Sequence, residues 1–368
     1  MIPIARPFLG EEEKAAVLDV LGSGMLSQGA KVKEFEKAFA SFVGTKYAVA
    51  TSNGTTALHA ALLAHGIGSG DEVITTPFTF IATANAITMT GAKPVFVDIE
   101  EDTFNLNSNL LEAAITEKTK AILPVHLFGR PAAMRKIQEI AEKHNLLVIE
   151  DACQAHGAAI NNQNTNQNTN QKVGSLGTAC FSFYPTKNMT TGEGGIITTN
   201  NFVIAENLRK IISHGSGQRY YHDFVGYNYR MTDIAAAIGI VQLKKLNYFN
   251  QRRKQNARYL NEQLRTIKGI KVPENVSGHV FHQYTLIITP DFGHTRDQVK
   301  SFLTEKGIGS SVFYPLPIHQ QKAYESYNHQ SFPVTEKLSQ QVLSLPVHPL
   351  LTQEDLQKIV SAVKELSY

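Results

Sequence analysis

Short apolar runs that close on turn residues recur through the first two-thirds of the chain. They are "YAVATS", "DEVITTPF", "KPVFVDI", "KAILPVHLFG", "LLVIED", "ACFSFY" and "GGIITTN". Most are rich in Val and Ile and lack strict alternation, the pattern of strands covered on both faces. Between several of them the apolar positions follow a helical period. In "KVKEFEKAFASFV", Val32, Phe35, Phe39 and Phe42 form one stripe. "TTALHAALLAHG" and "AAMRKIQEIAEKHN" also read as helices. This alternation predicts an α/β fold whose large domain has a mostly parallel sheet of about seven strands covered by helices. Sites in such sheets lie beyond the carboxyl ends of the strands.

After Met231, "TDIAAAIGIVQLKKL" predicts a buried helix starting at Thr232 or Asp233, and "NYFNQRRKQNARYLNEQL" a long amphipathic one. From about Ile270 the pattern changes to the strands and helices of a smaller α+β domain, ending in the helix "TQEDLQKIVSAVKEL". The expected division is 1–30 as a segment packing on the small domain, 31–246 as the large domain and 247–368 as the small one. The polar repeat "NNQNTNQNTNQ", Asn161–Gln171, reads as a solvated loop insertion without chemistry.

Composition narrows the function classes. The 368 residues exceed one typical core, and 42% hydrophobic with 18% charged residues fits a globular protein. A formal net charge of +3, with the signs mixed along the chain, gives no nucleic-acid footprint. Cys153 and Cys180 are too few for a disulfide scaffold and lack zinc-ligand spacing. The N-terminus has no basic-then-apolar signal layout, and no apolar stretch is long enough to span a bilayer. The expected setting is a reducing cytoplasm.

Against that background Lys187 stands out. "FSFYPTKNMTTGEGG" puts it just past a strand and before a glycine-rich turn. A lysine desolvated at a strand end has a lowered pKa and can attack a carbonyl. The usual carbonyl partner is pyridoxal phosphate (PLP). It needs N–H donors at a helix start for its phosphate, a carboxylate for its ring nitrogen and a flat apolar neighbour. "TSNGTTALHAAL" offers the first, with Gly54 permitting the tight turn and Thr55 and Thr56 opening a helix. "LLVIEDACQAHGA" offers the second: alternation puts Asp151 on one face and Glu150 on the other. "TPFTFIATANA" offers Phe78 or Phe80 as the ring neighbour, and Ser182 is a further hydroxyl for the phosphate. Singly, the phosphate motif reads equally well as an N-cap, while the acid reads better as a cap or salt bridge, the aromatic as a core residue and the serine as a plain strand serine. Together each falls at a strand end in one order.

The motifs "SNGTTALHAAL", "TPFTFIATANAI", "GAKPVFVDI", "VIEDACQAHGA", "FSFYPTKNMTTGEGG" and "GYNYRMTDIAAAIG" together resemble the DegT/StrS family of PLP-dependent sugar aminotransferases, of the aspartate-aminotransferase fold type. The resemblance covers nearly the whole chain. It implies that Lys187 carries the cofactor, Asp151 binds its ring nitrogen, Gln154 its ring hydroxyl, and Phe80 stacks on the ring. It implies that Gly54, Thr55 and Ser182 hold the phosphate, with Asn228 reaching the phosphate of the partner subunit's cofactor. Glu193, Gly194 and Gly195 would complete the turn after the lysine. It further implies a homodimer with shared sites, glutamate as amino donor, and a nucleotide-linked keto-sugar as acceptor on the way to a surface glycan. Arg219, Tyr220 and His222 in "SHGSGQRYYHDF", and Tyr314 and His319 in "VFYPLPIHQQ", are candidate substrate contacts. The "HGSGQRYYH" stretch leans slightly towards 3-keto sugars.

Three rivals are weighed against that reading. PLP-dependent sugar dehydratases share the fold, but by resemblance carry histidine where this chain has Lys187. An amino-acid lyase is the second. A non-catalytic regulator binding PLP or a nucleotide-sugar is the third, and binding alone does not require a Schiff-base lysine. A dinucleotide-binding reading fails because no G-x-G-x-x-G follows the first strands.

Overall fold

The computed structural model describes residues 1–160 and 171–367. The polar repeat expected as a loop therefore lies, but for Gln171, outside the described residues. The chain opens with α1 (Glu11–Ser23) and α2 (Ala30–Val43), then β1 (Tyr47–Thr51), α3 (Gly54–Ala64), β2 (Glu72–Thr75), α4 (Ala82–Met89) and β3 (Lys93–Phe96). Next come β4 (Thr119–Ile122), α5 (Met134–Lys143), β5 (Leu147–Asp151), the short pair β6 (Ala159–Ile160) and β7 (Gln171–Lys172), β8 (Thr178–Ser182), β9 (Gly195–Thr199) and α6 (Phe202–Ile211). A hairpin, β10 (Ser216–Gln218) and β11 (Tyr221–His222), precedes the long α7 (Asp233–Leu264). The remainder is β12 (Ile270–Lys271), β13 (Tyr284–Ile288), α8 (Arg296–Glu305), α9 (Pro333–Gln341), β14 (Val342–Leu345) and α10 (Gln353–Glu365).

All seven apolar runs become strands of one sheet, in the order β1-β9-β8-β5-β4-β2-β3. Five of its neighbours pair as β3–β2–β4–β5–β8 in parallel. β9 runs antiparallel to both β8 and β1. The chain thus leaves β8 and doubles back without a crossover helix. That return loop carries Lys187. Because β1, β2, β5 and β8 point the same way, their carboxyl ends share one edge of the sheet.

The phenylalanine stripe of α2 closes one face. Phe39 meets Phe181 and Phe183 edge-on at 5.1 and 5.5 Å, inside a fully buried aromatic cluster. The glycine N-cap of α2 has no side chain to offer. Asp233 serves instead: its carboxylate accepts from the backbone N–H groups of Gly29, Lys31 and Val32.

The helices expected on either side of Leu246 are one continuous helix of 32 residues. Its start agrees with the sequence reading, with Thr232 as the N-cap. Nothing at "KKLNYFNQ" breaks it: there is no Pro or Gly, and Leu246, Phe249 and Arg253 continue one buried face. Leu246 belongs to the core under the large sheet, whereas Ala257, Leu260 and Leu264 belong to a second core around the sheet β12-β13-β14. Ile2 joins that second core by bridging Ile308, while α1 lies on α7, its Glu13 accepting from Gln242 and Lys245. No helix among the described residues is long and apolar enough to cross a membrane.

Candidate active site

The shared strand edge opens into a cavity of about 740 Å³. Asp151, the last residue of β5, enters it on one face of the strand. Its carboxylate accepts from Thr83 Oγ1 at 2.8 Å and from the Cys153 N–H at 3.2 Å. Glu150 points the opposite way, into a fully buried pair. His126 Nδ1 accepts from the Ala132 N–H, which leaves His126 Nε2 to donate to Glu150 at 2.9 Å. The Gly174 N–H donates to the same carboxylate oxygen. Strand alternation therefore separates a site acid from a structural one, as the sequence implies.

Lys187 lies in the return loop beyond β8, with its N–H bonded to the Tyr184 carbonyl. Burial pulls its amine below the usual lysine range, against the opposing pull of Cys153 and Asp151. The glycine turn that follows bends at Gly192, at φ +82°. A Cβ on Gly195 would come 2.3 Å from the Asn53 carbonyl oxygen, so only glycine lets β9 pass this close to the start of α3.

Asn53 caps α3 by accepting from the Thr56 N–H at 2.9 Å. The first-turn N–H groups of Gly54 and Thr55, both at the cavity wall, have no partner within the helix. Gly54 is not the tight-turn residue the sequence suggests, because its φ is not positive. Its small size matters for another reason. A Cβ there would stand 2.6 Å from Ser182 Cβ and 3.0 Å from Cys153 Sγ, filling the cradle where α3, β5 and β8 meet. Such a cradle at a helix start suits an anion.

Phe80 has its side chain in the cavity and is 57% exposed, whereas Phe78 is buried in the core against Phe104. Of the two, Phe80 is the one that faces the cavity. Gln154 accepts from the Phe128 N–H at 2.8 Å and donates to the Tyr314 hydroxyl at 3.3 Å. Burial pushes the Tyr314 phenol up. Of the expected contacts, Lys187, Asp151, Gln154, Gly54, Thr55, Ser182, Phe80, Tyr314 and Glu193 all line the cavity.

Five others do not. His319 is wholly buried, bonded to Glu336 at 3.2 Å and packed edge-on against Phe332. The short helical turn after "YPLP" rotates it inward, so it supports the fold rather than the site mouth. Arg219, Tyr220 and His222 lie on the β10–β11 hairpin, away from this chain's cavity. Tyr220 is 79% exposed, Arg219 stacks over it, and His222 bonds the His214 carbonyl. Asn228 is exposed and pairs along the backbone with Ser213. It does not cap α7, which Thr232 does.

Sequence reasoning missed His282 and Gln283, which reach the cavity from the segment before β13. Nothing in "VFHQYTL" signals that, since the approach depends on how the second core meets the first. It also missed Thr79 and Thr83, whose hydroxyls lie 3.2 Å apart behind Asp151. Their spacing of four at a helix start is the signal that was available.

The cavity fits PLP on its own chemistry. A helix start and a cradle kept open by Gly54 would hold the phosphate, a buried carboxylate the ring nitrogen, an exposed aromatic the ring face, and a desolvated amine the aldehyde carbon.

Comparison with known proteins agrees. The DegT/DnrJ/EryC1/StrS aminotransferase family matches residues 7–364. A "pleiotropic regulatory protein" of Geobacillus stearothermophilus is 44% identical over 367 residues, covering 96% of this chain and 95% of that one. The GDP-perosamine synthase of Caulobacter vibrioides is 41% identical over 373 residues, covering 99% and 98%. Among solved structures, NtdA of Bacillus subtilis with bound cofactor PMP superposes with a TM-score of 0.89. It is 32% identical and covers 97% of this chain and 81% of that one.

Proposed function

The chain belongs to the DegT/DnrJ/EryC1/StrS aminotransferase family, and from that premise we propose that it transfers an amino group from glutamate to a keto-sugar linked to a nucleotide diphosphate. It would do so as a cytoplasmic homodimer, in the synthesis of an amino sugar for a surface glycan. PLP is the cofactor of this family of enzymes, and when bound it supplies an electron sink for the carbanion formed in amino transfer.

The observation that carries the substrate class is the cavity lining. Lys187 is its one Lys or Arg among the described residues, while Thr79, Thr186, Tyr184, Gln283 and Glu193 add hydroxyl, amide and carboxylate groups. His282 adds no charge, because burial and the nearby Lys187 hold its imidazole neutral. Such a wall suits a neutral polyhydroxyl ligand. Among the described residues it offers a carboxylate, glutamate's included, no fixed cation besides Lys187.

The residues divide the work in this reading. Asp151, fixed by Thr83, would keep a proton on the cofactor's ring nitrogen. Gln154, oriented by Phe128 and Tyr314, would hold the ring hydroxyl, and Phe80 would cover the ring face. The Gly54 and Thr55 N–H groups with the Ser182 hydroxyl would hold the phosphate. The Lys187 amine would carry a proton to and from the donor's α-carbon. A regulator needs none of this pre-arranged acid–base chemistry, so the name of the Geobacillus relative does not displace the catalytic reading. The test is the half-reaction: glutamate alone should convert the bound cofactor to its pyridoxamine form, seen as loss of the visible band. A spectrum that glutamate leaves unchanged would favour a dehydratase or a binding protein.

The exposed positions of Asn228 and Arg219 support composite sites. Glutamate brings carboxylates that this chain's lining does not neutralise. The partner's copy of the β10–β11 hairpin is where a cation for them would come from. Subunit mixing tests this. Lys187→Ala and Asn228→Ala proteins, each impaired alone, should regain activity on exchange, because one site of the mixed dimer then carries neither defect. No recovery after verified exchange would put both residues in one subunit's site.

A further inference from the structure

The return loop with Lys187 has few backbone restraints of its own, yet the lysine must face Asp151 across the cavity. The side chain next to it provides the link. Asn188 is buried, and its Nδ2 donates to Asn250 Oδ1 on α7 at 2.7 Å and to the Val280 carbonyl at 3.1 Å. Its own Oδ1 has no protein partner, so what Nδ2 donates alone orients this amide. The Asn250 amide in turn donates to the His156 carbonyl at 2.8 Å. His156 stands on the segment that follows β5 and carries Asp151, Cys153 and Gln154. One buried amide on α7 therefore ties the lysine loop to the acid's segment, and through Asn188 to the segment that delivers His282.

The surroundings are cut to this amide. Gly157 has φ +75°, and a Cβ there would stand 2.9 Å from Asn250 Nδ2. A second contact two residues past Asn188 fixes the loop again: the Thr190 N–H donates to Gln242 Oε1, about two turns nearer the start of α7. Apolar residues at 188 and 250 would fill the same space, but they would not specify this register.

We propose that Asn250 is a positioning residue that sets the placement and desolvation of the Lys187 amine relative to Asp151. The inference rests on the reading of Lys187 as the reactive lysine. The titratable groups around that amine are Asp151 and Cys153 on the β5 side, His156 beyond them, and His282 across the cavity. Arg253 of α7 faces both imidazoles and donates to the Phe281 and His282 carbonyls. Burial and these cations keep both histidines neutral, His156 with a pKa of about 3. Neither therefore supplies a charge that would replace correct placement of the lysine.

The experiment compares Asn250→Ala with Asn256→Ala. Asn256 lies on the same helix, is as buried, and donates to the Val347 and His348 carbonyls in the second core. It serves as the control for lost buried hydrogen bonds. In cofactor-free protein, the pH dependence of acetic-anhydride labelling at Lys187, read by mass spectrometry, reports the amine's pKa. Asn250→Ala should let water reach the amine and move that pKa up towards the ordinary lysine value. Asn256→Ala should leave it in place. In the loaded enzyme Asn250→Ala should lower kcat by on the order of 10²-fold, as expected for a misplaced reacting group, with KM little changed. Asn188→Ala removes the same link from its other end, should behave alike, and stands in should Asn250→Ala not accumulate; the double variant should be no worse than either. An unmoved lysine pKa in Asn250→Ala and Asn188→Ala, or equal effects of Asn256→Ala, would overturn the proposal. If Lys187 were not the cofactor's lysine, borohydride would fix nothing to it in the wild type, whatever the labelling shows.

Discussion

Lys187→Ala is expected to abolish amino transfer, with a loss on the order of 10⁴-fold from the missing proton carrier alone. The substitution removes the one amine that the described residues bring to the cavity and leaves the cradle at Gly54 and the Asp151 carboxylate intact. The cofactor should therefore still bind, without a covalent link. Borohydride should fix it irreversibly in the wild type and not in the variant. The pH dependence has a definite sign. Burial lowers the pKa of this amine, so its neutral, nucleophilic form appears at a lower pH than that of a surface lysine. Labelling should rise through that lower value and be lost below it. Mapping the reduced adduct to any other lysine would overturn the assignment.

Asp151→Asn should keep cofactor binding and lose turnover by on the order of 10²-fold or more, as when a pre-arranged charge is removed from a dry site. The shape survives, since an amide oxygen still accepts from Thr83 Oγ1 or the Cys153 N–H. Glu150 offers no rescue. It lies on the other face of β5, held by His126 and Gly174. A second reading separates loss of charge from loss of shape. Asp151 is among the groups that raise the Lys187 pKa, so the asparagine variant should shift lysine labelling to still lower pH while turnover falls. Near-normal turnover would remove Asp151 from the mechanism.

The parts of this site legible in the sequence were those fixed by local rules. Strand alternation separated Asp151 from Glu150. Apolar runs marked all seven strands, and the glycine turn marked the loop with Lys187. Gly54 was found for the wrong reason, because a glycine needed for close approach and one needed for a positive φ look alike in sequence. His319 looked functional because its inward rotation depends on Phe332 and Glu336, distant partners that no local pattern reveals. The sequence suggests two helices for α7 because its apolar face changes partner along its length. The first part serves the large sheet and the second the smaller core. His282 and the Asn188–Asn250 link emerge only when those two cores meet.

In this reading nitrogen moves from an amino acid to a nucleotide-linked sugar at this cavity. The most direct measurement follows the nitrogen itself. The purified holoenzyme is incubated with ¹⁵N-glutamate and a panel of nucleotide-linked keto-sugars, each read by mass spectrometry. Label should appear in an amino-sugar nucleotide from at least one member, with 2-oxoglutarate formed in step and no transfer by Lys187→Ala. Label recovered only in amino acids, or a sugar product that loses a hydroxyl without gaining nitrogen, would contradict it.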